Sequence, residues 1–202
     1  MPPTAAQVRQ RRLTVTLSVC ALVIGCLIWA WPAAKEPVAP QGPSSTQQFI
    51  SSVAAPAQQS QAQFAVPASV TIAQAILESD WASSPLTQKG NAYFGIKCTG
   101  NDGPYATGCL GQPTTECDTT GVCSDQVAQF RTYATIGDSF RDHGSLLATA
   151  TRYAKAFQFS GSPDSFAQAI AVAGYATDPA YAGKLISLMQ QYNLYRYDVA
   201  SS

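Results

Sequence analysis

Glutamate is scarce in this sequence. Only Glu36, Glu78 and Glu116 occur among 202 residues, although surface helices usually contain glutamate because it favours helix formation and keeps proteins soluble. Glu78 and Glu116 also lie in apolar or cysteine-bounded sequence, and not in a charged stretch. We therefore interpret these two carboxyl groups as candidates for chemistry.

Histidine is scarcer still, since His143 is the only one. This excludes metal sites that need two or more histidines, and we interpret His143 as structural. A nucleophilic Cys–His pair is the alternative, but the clustered cysteines are better explained as disulfides. No glycine-rich phosphate loop or dinucleotide motif follows a candidate strand. We predict no metal and no cofactor.

A basic patch is also missing. Lys and Arg total 12, equal to Asp and Glu. Arg9, Arg11 and Arg12 precede the first apolar run, which leaves nine basic against 12 acidic residues in the rest of the chain. Because binding to nucleic acid requires concentrated positive charge, we predict no nucleic-acid partner.

One long uncharged run covers residues 13–31. As a helix it would be about 28 Å long, close to the thickness of a bilayer core. The arginines before it and Trp29 and Trp31 at its far end favour an anchor that leaves residues 1–12 in the cytoplasm and the rest outside. We expect a single-pass membrane protein. The alternative is a signal peptide cleaved near residues 32–34, which would give a secreted protein.

Residues 32–45 contain four prolines among small and polar residues, which predicts an extended linker. The pattern becomes helical from Thr46, with a break expected near Pro56. We predict one domain over residues 46–198, and we expect it to be a monomer.

A central buried helix is predicted from Ala68 towards Trp81, because apolar residues cover a wide face of this run. On a helix, Gln74 and Trp81 would share the face of Glu78. The Glu78 carboxyl would then lie between an amide and an indole, and the loss of solvent would raise its pKa.

The stretch Asn91–Tyr133 is rich in Gly, Thr and Cys and ends in an alternating pattern, which predicts a small β lobe. Three further helices are predicted at Ile136–Ala150, Asp164–Ala173 and Pro179–Gln191. This order favours an α+β fold with a cleft between a helical lobe and a β lobe. Glu78 would face the cleft from one side and Glu116 from the other.

Four cysteines lie close together in the predicted β lobe: Cys98, Cys109, Cys117 and Cys123. In an exported chain they are expected to form two disulfides, and three connectivities are open. We predict the local pairs Cys98–Cys109 and Cys117–Cys123. The spacing lacks the Cys-x-x-Cys knuckle that is typical of structural zinc sites.

Two carboxyl groups are what cleavage of a glycosidic bond requires: one protonated acid for the leaving oxygen, and one charged base, nucleophile or stabiliser. Glu78 fits the acid because its neighbours are apolar. Glu116 is the candidate for the second group.

Six sequence blocks carry a family resemblance. They are ASVTIAQAILESDW (68–81), NAYFGIK (91–97), TTE (114–116), FRTY (130–133), DSFRDH (138–143) and AGYATDPAYA (173–182). In this order they resemble the bacterial glucosaminidase family, glycoside hydrolase family 73. The resemblance implies a lysozyme-like α+β domain that hydrolyses the β-1,4 bond between N-acetylglucosamine and N-acetylmuramic acid in peptidoglycan.

The resemblance also implies roles for single residues. Glu78 matches the general acid of the family, and Glu116 matches the β-lobe glutamate considered the second carboxyl. Tyr175 and Tyr181 match tyrosines that line the cleft, Tyr175 being the stronger candidate for positioning the sugar or the reacting water. Tyr93 is either a sugar platform or a core residue.

Two positions depart from the family pattern. Asp80 replaces a glycine close to Glu78, and Cys117 follows Glu116 where an aromatic residue is common. Two other functions stay open on the same fold: a muramidase or lytic transglycosylase, which cuts the other glycosidic bond, and a non-catalytic, membrane-tethered wall-binding module.

Overall fold

The structure is a computed structural model that describes residues 45–117 and 123–199. The α-helices are α1 (Ser45–Phe64), α2 (Ala68–Ser79), α3 (Pro85–Gly90), α4 (Ile136–Thr149), α5 (Pro163–Val172) and α6 (Tyr181–Gln191). Strands β1 (Gly108–Cys117) and β2 (Cys123–Thr132) lie between α3 and α4, and two 3-10 helices cover Thr151–Phe159 and Leu194–Tyr197. The predicted α+β class is confirmed.

The predicted segments 1–12 and 13–31, and nearly all of the linker 32–45, lie outside the described residues. Across 45–117 and 123–199, no helix has the length and apolar character that a membrane crossing requires.

Helix α2 is the central helix, as predicted. It begins after Pro67, whose φ of −54° suits a helix start, and every residue from Ala68 to Ile76 is buried. It packs against α1, α5, α6 and the second 3-10 helix. The helix ends at Ser79 because Asp80 adopts a left-handed conformation with φ 47°. The core therefore surrounds α2 along its length and leaves its C-terminal end at the surface.

The predicted break near Pro56 is wrong, since α1 continues through this residue. Proline removes one helical hydrogen bond, which leaves the carbonyl of Ser52 without its usual donor. Ser52 is exposed, so water can satisfy that carbonyl. The buried face of α1, which includes Val53 and Ala57, packs against α4 and keeps the helix continuous.

The predicted β lobe is confirmed in part. Strands β1 and β2 form an antiparallel hairpin with a register from Gly108 opposite Thr132 to Cys117 opposite Cys123. Of the described residues 91–107, only Lys97 joins the pairing, through an isolated bridge to Phe130. This stretch is held as loops, for example by the Thr99 amide, which donates to Asp102 Oδ1 at 2.8 Å.

The base of the hairpin is tied to the helical body by a buried polar cluster. Arg131 Nη1 donates to both carboxylate oxygens of Asp142 at 3.2 and 3.0 Å, and Tyr133 Oη donates to Asp142 Oδ2 at 2.7 Å. The predicted Cys98–Cys109 disulfide is present beside this cluster. These contacts fix the hairpin only at its base.

The three predicted C-terminal helices agree with α4, α5 and α6 to within about two residues at each end, the usual uncertainty of a helix boundary. Helix α3 and the two 3-10 helices were not predicted. Each is short, and α3 depends on a local cap in which Thr87 N donates to Ser84 Oγ.

Candidate active site

A chain of hydrogen bonds links Glu78 to the buried core. Tyr181 Oη donates to Glu78 Oε1 at 3.0 Å, and Gln74 Nε2 donates to Tyr181 Oη at 2.9 Å. Gln74 is fully buried and Tyr181 is 3% exposed. Gln74 lies one helical turn before Glu78 on α2, and Tyr181 begins α6. The carboxyl therefore has a fixed orientation set by two rigid helices.

Glu78 is accessible to solvent, yet the surrounding protein desolvates its carboxyl. This desolvation raises the pKa of Glu78 above its ordinary value of 4.5, and the hydrogen bond from Tyr181 partly opposes the increase. The direction agrees with the sequence prediction. A carboxyl that keeps its proton to higher pH than an ordinary glutamate and still reaches solvent can act as a general acid.

The backbone turns sharply just after Glu78. Asp80, Trp81 and Ala82 all have positive φ, at 47°, 57° and 65°, a conformation that costs free energy in residues with a side chain. The turn is held by Ser79, whose Oγ accepts from Ala82 N at 2.9 Å. Asp80 Oδ2 accepts from Ser83 Oγ at 2.6 Å. The turn ends α2 where its acid reaches the surface.

The predicted position of Trp81 is wrong, because α2 ends before it and Trp81 does not continue the helical face of Glu78. Its ring packs edge-on against Phe49 at 5.4 Å and Tyr192 at 5.2 Å. The neighbour that contacts the Glu78 carboxyl is Tyr181, which comes from a distant part of the chain. No sequence pattern within α2 could have shown this contact.

Tyr175 packs against Tyr181, the hydrogen-bond partner of Glu78. Its ring stacks on Tyr181 with centroids 5.4 Å apart and planes at 18°. Desolvation and the nearby charge of Glu78 raise the pKa of Tyr175 well above its ordinary value, so its hydroxyl remains protonated. Gly174, with φ 79°, makes the turn after α5 that directs the chain to this position.

Tyr153 was missed by the sequence analysis. It is buried, and its ring centroid lies 6.1 Å from that of Tyr175. Tyr181, Tyr175 and Tyr153 thus form a row of rings that starts at Glu78; we call it the tyrosine row. Tyr153 belongs to an unpredicted 3-10 helix, so neither pattern nor motif indicated it.

His143 is fully buried and stacks on Phe94 at 4.0 Å. Burial lowers the pKa of His143 to about 3, so the imidazole is neutral at physiological pH. Its ring also meets Tyr175 edge-on at 6.0 Å. This packing agrees with the structural interpretation of His143.

Tyr93 is 9% exposed, and its ring packs near Phe49 and Phe140 at 6.3 and 5.6 Å. A sugar platform requires an open ring face, so this packing favours a core role over a platform.

Glu116 lies near the end of β1, opposite Ser124 in β2. The position of its side chain is outside what the structure describes, and its pairing with Glu78 stays a prediction. Cys123 is disulfide-bonded, and its place directly opposite Cys117 in the hairpin register agrees with the second predicted pair.

One group of candidate metal ligands occurs among the described residues: Cys98, Asp102 and Cys109. The two cysteines are joined in a disulfide and have no thiolate to offer a metal. This group therefore does not form a metal centre in the oxidised protein.

Comparison with known proteins gives consistent matches. A family model described as mannosyl-glycoprotein endo-beta-N-acetylglucosaminidase matches residues 54–194. The exo-glucosaminidase LytG of Bacillus subtilis strain 168 is 37% identical over 156 residues, which cover 75% of this chain and 53% of LytG. A probable N-acetylmuramidase of Lactococcus lactis subsp. lactis strain IL1403 is 35% identical over 172 residues, which cover 83% of this chain and 38% of that protein.

The fold agrees with a solved structure as well. The catalytic domain of the autolysin Auto from Listeria monocytogenes matches with a TM-score of 0.69 and 28% identity, over 80% of this chain and 92% of that domain. The chain spans about half or less of the length of the two curated relatives. Since the family model covers well over half of the sequence, the chain belongs to the bacterial glucosaminidase family, glycoside hydrolase family 73.

Proposed function

We propose that this chain is a peptidoglycan hydrolase, an endo-β-N-acetylglucosaminidase that cleaves the β-1,4 bond between N-acetylglucosamine and N-acetylmuramic acid. The observation that supports it most strongly is the state of Glu78, a solvent-accessible carboxyl with a raised pKa and a fixed hydrogen-bond partner. Family membership supplies the substrate class.

In this proposal Glu78 is the general acid. Tyr181 donates to Oε1, so Oε2 is the oxygen that carries the transferable proton. Protonation of the glycosidic oxygen turns a poor leaving group into a neutral hydroxyl as the bond breaks. Glu78 becomes a carboxylate in the same step, and the hydrogen bond from Tyr181 stabilises that new charge. This hydrogen bond therefore stabilises the transition state more than the ground state.

The positive charge that develops on the sugar requires a second group. We assign this role to Glu116, in agreement with the sequence prediction. Tyr175 keeps its proton and lies beside the acid, so its hydroxyl is suited to hold the substrate or the attacking water.

Cleavage of the other glycosidic bond is the second candidate function. One relative carries the description N-acetylmuramidase, and the same acid could protonate either leaving oxygen. Digestion of purified peptidoglycan followed by mass spectrometry of the reduced products separates the two. A new reducing end on N-acetylglucosamine supports the proposal, whereas one on N-acetylmuramic acid would support the muramidase.

The acid assignment is tested by Glu78→Gln. This substitution keeps the size of the side chain and an oxygen that accepts from Tyr181, but it removes the proton donor. We expect kcat on purified cell walls to fall by about 10²- to 10⁴-fold with wall binding retained. Asp80→Asn is the matched control, because it neutralises an adjacent carboxylate and asparagine tolerates the left-handed conformation. Full activity of Glu78→Gln would refute the assignment.

We also propose that the domain works outside the cytoplasm, held at the membrane by residues 13–31. The Cys98–Cys109 disulfide supports an oxidising compartment. Fractionation of cells that express the full chain, with protease protection of the domain, tests the orientation. Complete protection in intact spheroplasts would contradict it.

A further inference from the structure

A groove lies at the far end of the tyrosine row. It has a volume of about 540 Å³ and is formed by the first 3-10 helix and α5. Its lining includes Arg152, Lys155, Phe159, Gln168, Val172 and Ala173. We call it the basic groove, because no acidic residue contributes to this lining.

The basic groove has two cationic side chains on the same side of one helix. Arg152 and Lys155 are three residues apart on a 3-10 helix, where side chains at this spacing project in the same direction. Both are exposed. Among residues 45–117 and 123–199, neither forms an ion pair with a carboxylate. Arg152 instead lies over the ring of Tyr153, 4.6 Å from its centroid.

The groove lies close to the residues that surround Glu78. Tyr153 neighbours Tyr175 in the tyrosine row, and Ala173 of the groove wall is two residues from Tyr175. Tyr175 is also close enough to both charged groups for each to affect it: the charge of Glu78 raises the pKa of Tyr175, and the charge of Arg152 lowers it. Tyr175 thus lies between the catalytic carboxyl and the groove.

The groove also presents apolar surface to solvent. Val172 is 90% exposed and Phe159 is 40% exposed, so two apolar side chains that face solvent line the same groove. The volume is in the range of sites for small ligands. The occupant should therefore combine carboxylates with small apolar groups.

We propose that the basic groove binds the peptide stem that is attached to the muramic acid next to the cleaved bond. The inference rests on the proposed function, since it places a second part of the same substrate. A peptide-substituted glycan strand is itself uncharged, because its amino groups are acetylated and its lactyl group is in amide linkage. The stem supplies the carboxylates and the small apolar side chains that the groove matches.

The test compares peptide-bearing glycan with glycan whose stems have been removed by an amidase and whose freed lactyl carboxyls have then been converted to methylamides, so that the stripped glycan is uncharged. Both are prepared from sacculi freed of phosphate-containing polymers. The variant is Arg152→Met with Lys155→Met, which keeps the apolar stems and removes both charges. The control is Arg196→Met, since Arg196 is exposed and also lies over a tyrosine ring, 4.8 Å from the centroid of Tyr197.

On peptide-bearing glycan, we expect the KM of the double variant to be about five- to tenfold higher than that of the wild type, the size expected for two exposed ion pairs. On stripped glycan, the two proteins should have the same KM. The wild-type preference for peptide-bearing glycan should fall as salt increases, and the double variant should lose most of this salt dependence. Arg196→Met should behave as the wild type. An equal change on both substrates, or no change, would overturn the proposal.

A binding measurement separates this inference from the proposed function. In a Glu78→Gln background, pelleting with intact and stripped sacculi reports stem recognition without hydrolysis. Preferential pelleting with intact sacculi that depends on Arg152 and Lys155 supports the groove even if the wild type proves to cleave a different bond. If the two substitutions weaken binding only to sacculi that still carry phosphate-containing polymers, the groove binds those polymers and the proposal is overturned.

Discussion

The two regions that carry the candidate carboxyls are built differently. Glu78 lies near the end of a helix that is buried from Ala68 to Ile76, and its orientation depends on Gln74 and Tyr181, both in the core. Glu116 belongs to a hairpin in which Phe130 is the one buried residue of β2. The Glu78 carboxyl is thus oriented by core packing, while the backbone at Glu116 is held by strand pairing and by the contacts at the base of the hairpin.

Because of this difference, substitutions in the two regions are expected to affect stability and activity in different proportions. A change near Glu78 disturbs the core and the chemistry together. A change in the outer hairpin removes few buried contacts, so it should affect activity more than stability if Glu116 takes part in catalysis. In the proposed mechanism, the proton donor would therefore lie on a rigid helix and the second group on a more independent element.

Glu116→Gln is expected to give the largest effect, a loss of activity that tests whether the hairpin takes part in catalysis. If the hairpin supplies the second carboxyl, kcat should fall by roughly 10²-fold or more, while the free energy of unfolding changes by less than about 0.5 kcal/mol. Asp125→Asn is the control, because Asp125 is an exposed carboxylate of β2 that accepts a hydrogen bond from Thr115 Oγ1 of β1 at 2.6 Å. Unchanged activity of Glu116→Gln would remove the hairpin from the mechanism.

Glycine substitutions compare the two regions directly. A Cβ at Gly144 of α4 would meet Ser60 Oγ and lie 2.6 Å from Phe64 Cδ2 of α1, so Gly144→Ala should destabilise the domain by about 1–3 kcal/mol. A Cβ at Gly111 of β1 would meet Gln129 Nε2 at 3.1 Å, and that exposed side chain can move. Gly111→Ala should therefore cost little. Urea unfolding of both variants measures the contrast, and equal losses would contradict it.

A smaller effect concerns the cost of keeping Glu78 desolvated. Because folding raises the pKa of this carboxyl, its charged form disfavours the folded state once the pH rises above the ordinary value of 4.5. Glu78→Gln should therefore be more stable than the wild type near pH 7, by less than about 1 kcal/mol because solvent screens the group. The gain should disappear below that pH. Thermal unfolding across pH 4–8 tests this, and a gain that persists at low pH would point to another cause.

Much of the fold was predictable because its signals are local. The buried face of α2, the alternation in β2 and the spacing of α4 to α6 all predicted elements that the structure contains. The break at Pro56 was wrong because burial of the surrounding α1 residues outweighs one lost hydrogen bond. The short elements α3 and Thr151–Phe159 were missed, since neither is long enough to show a periodic pattern.

The site was predictable only where its residues belong to recognisable blocks. Glu78 was indicated by its apolar surroundings, and the direction of its pKa shift is confirmed. Desolvation, the predicted cause, is also confirmed. The predicted place of Trp81 on the helical face is wrong, because the left-handed turn at Asp80 to Ala82 follows the end of α2. Tyr181 reaches Glu78 across 103 positions of sequence, and such a contact follows from the packing of α6 on α2 and not from any local pattern.

The measurement that tests the central claim most directly is the pH dependence of kcat/KM for the wild type and for Tyr181→Phe. If Glu78 is the acid, activity should fall as the pH rises through its raised pKa. Since the hydrogen bond from Tyr181 lowers that pKa, its removal should move the decline to higher pH. Tyr195→Phe, which loses a hydroxyl bonded to Asp164, is the control and should leave the profile in place. A decline that does not move in Tyr181→Phe, or that moves to lower pH, would contradict the account.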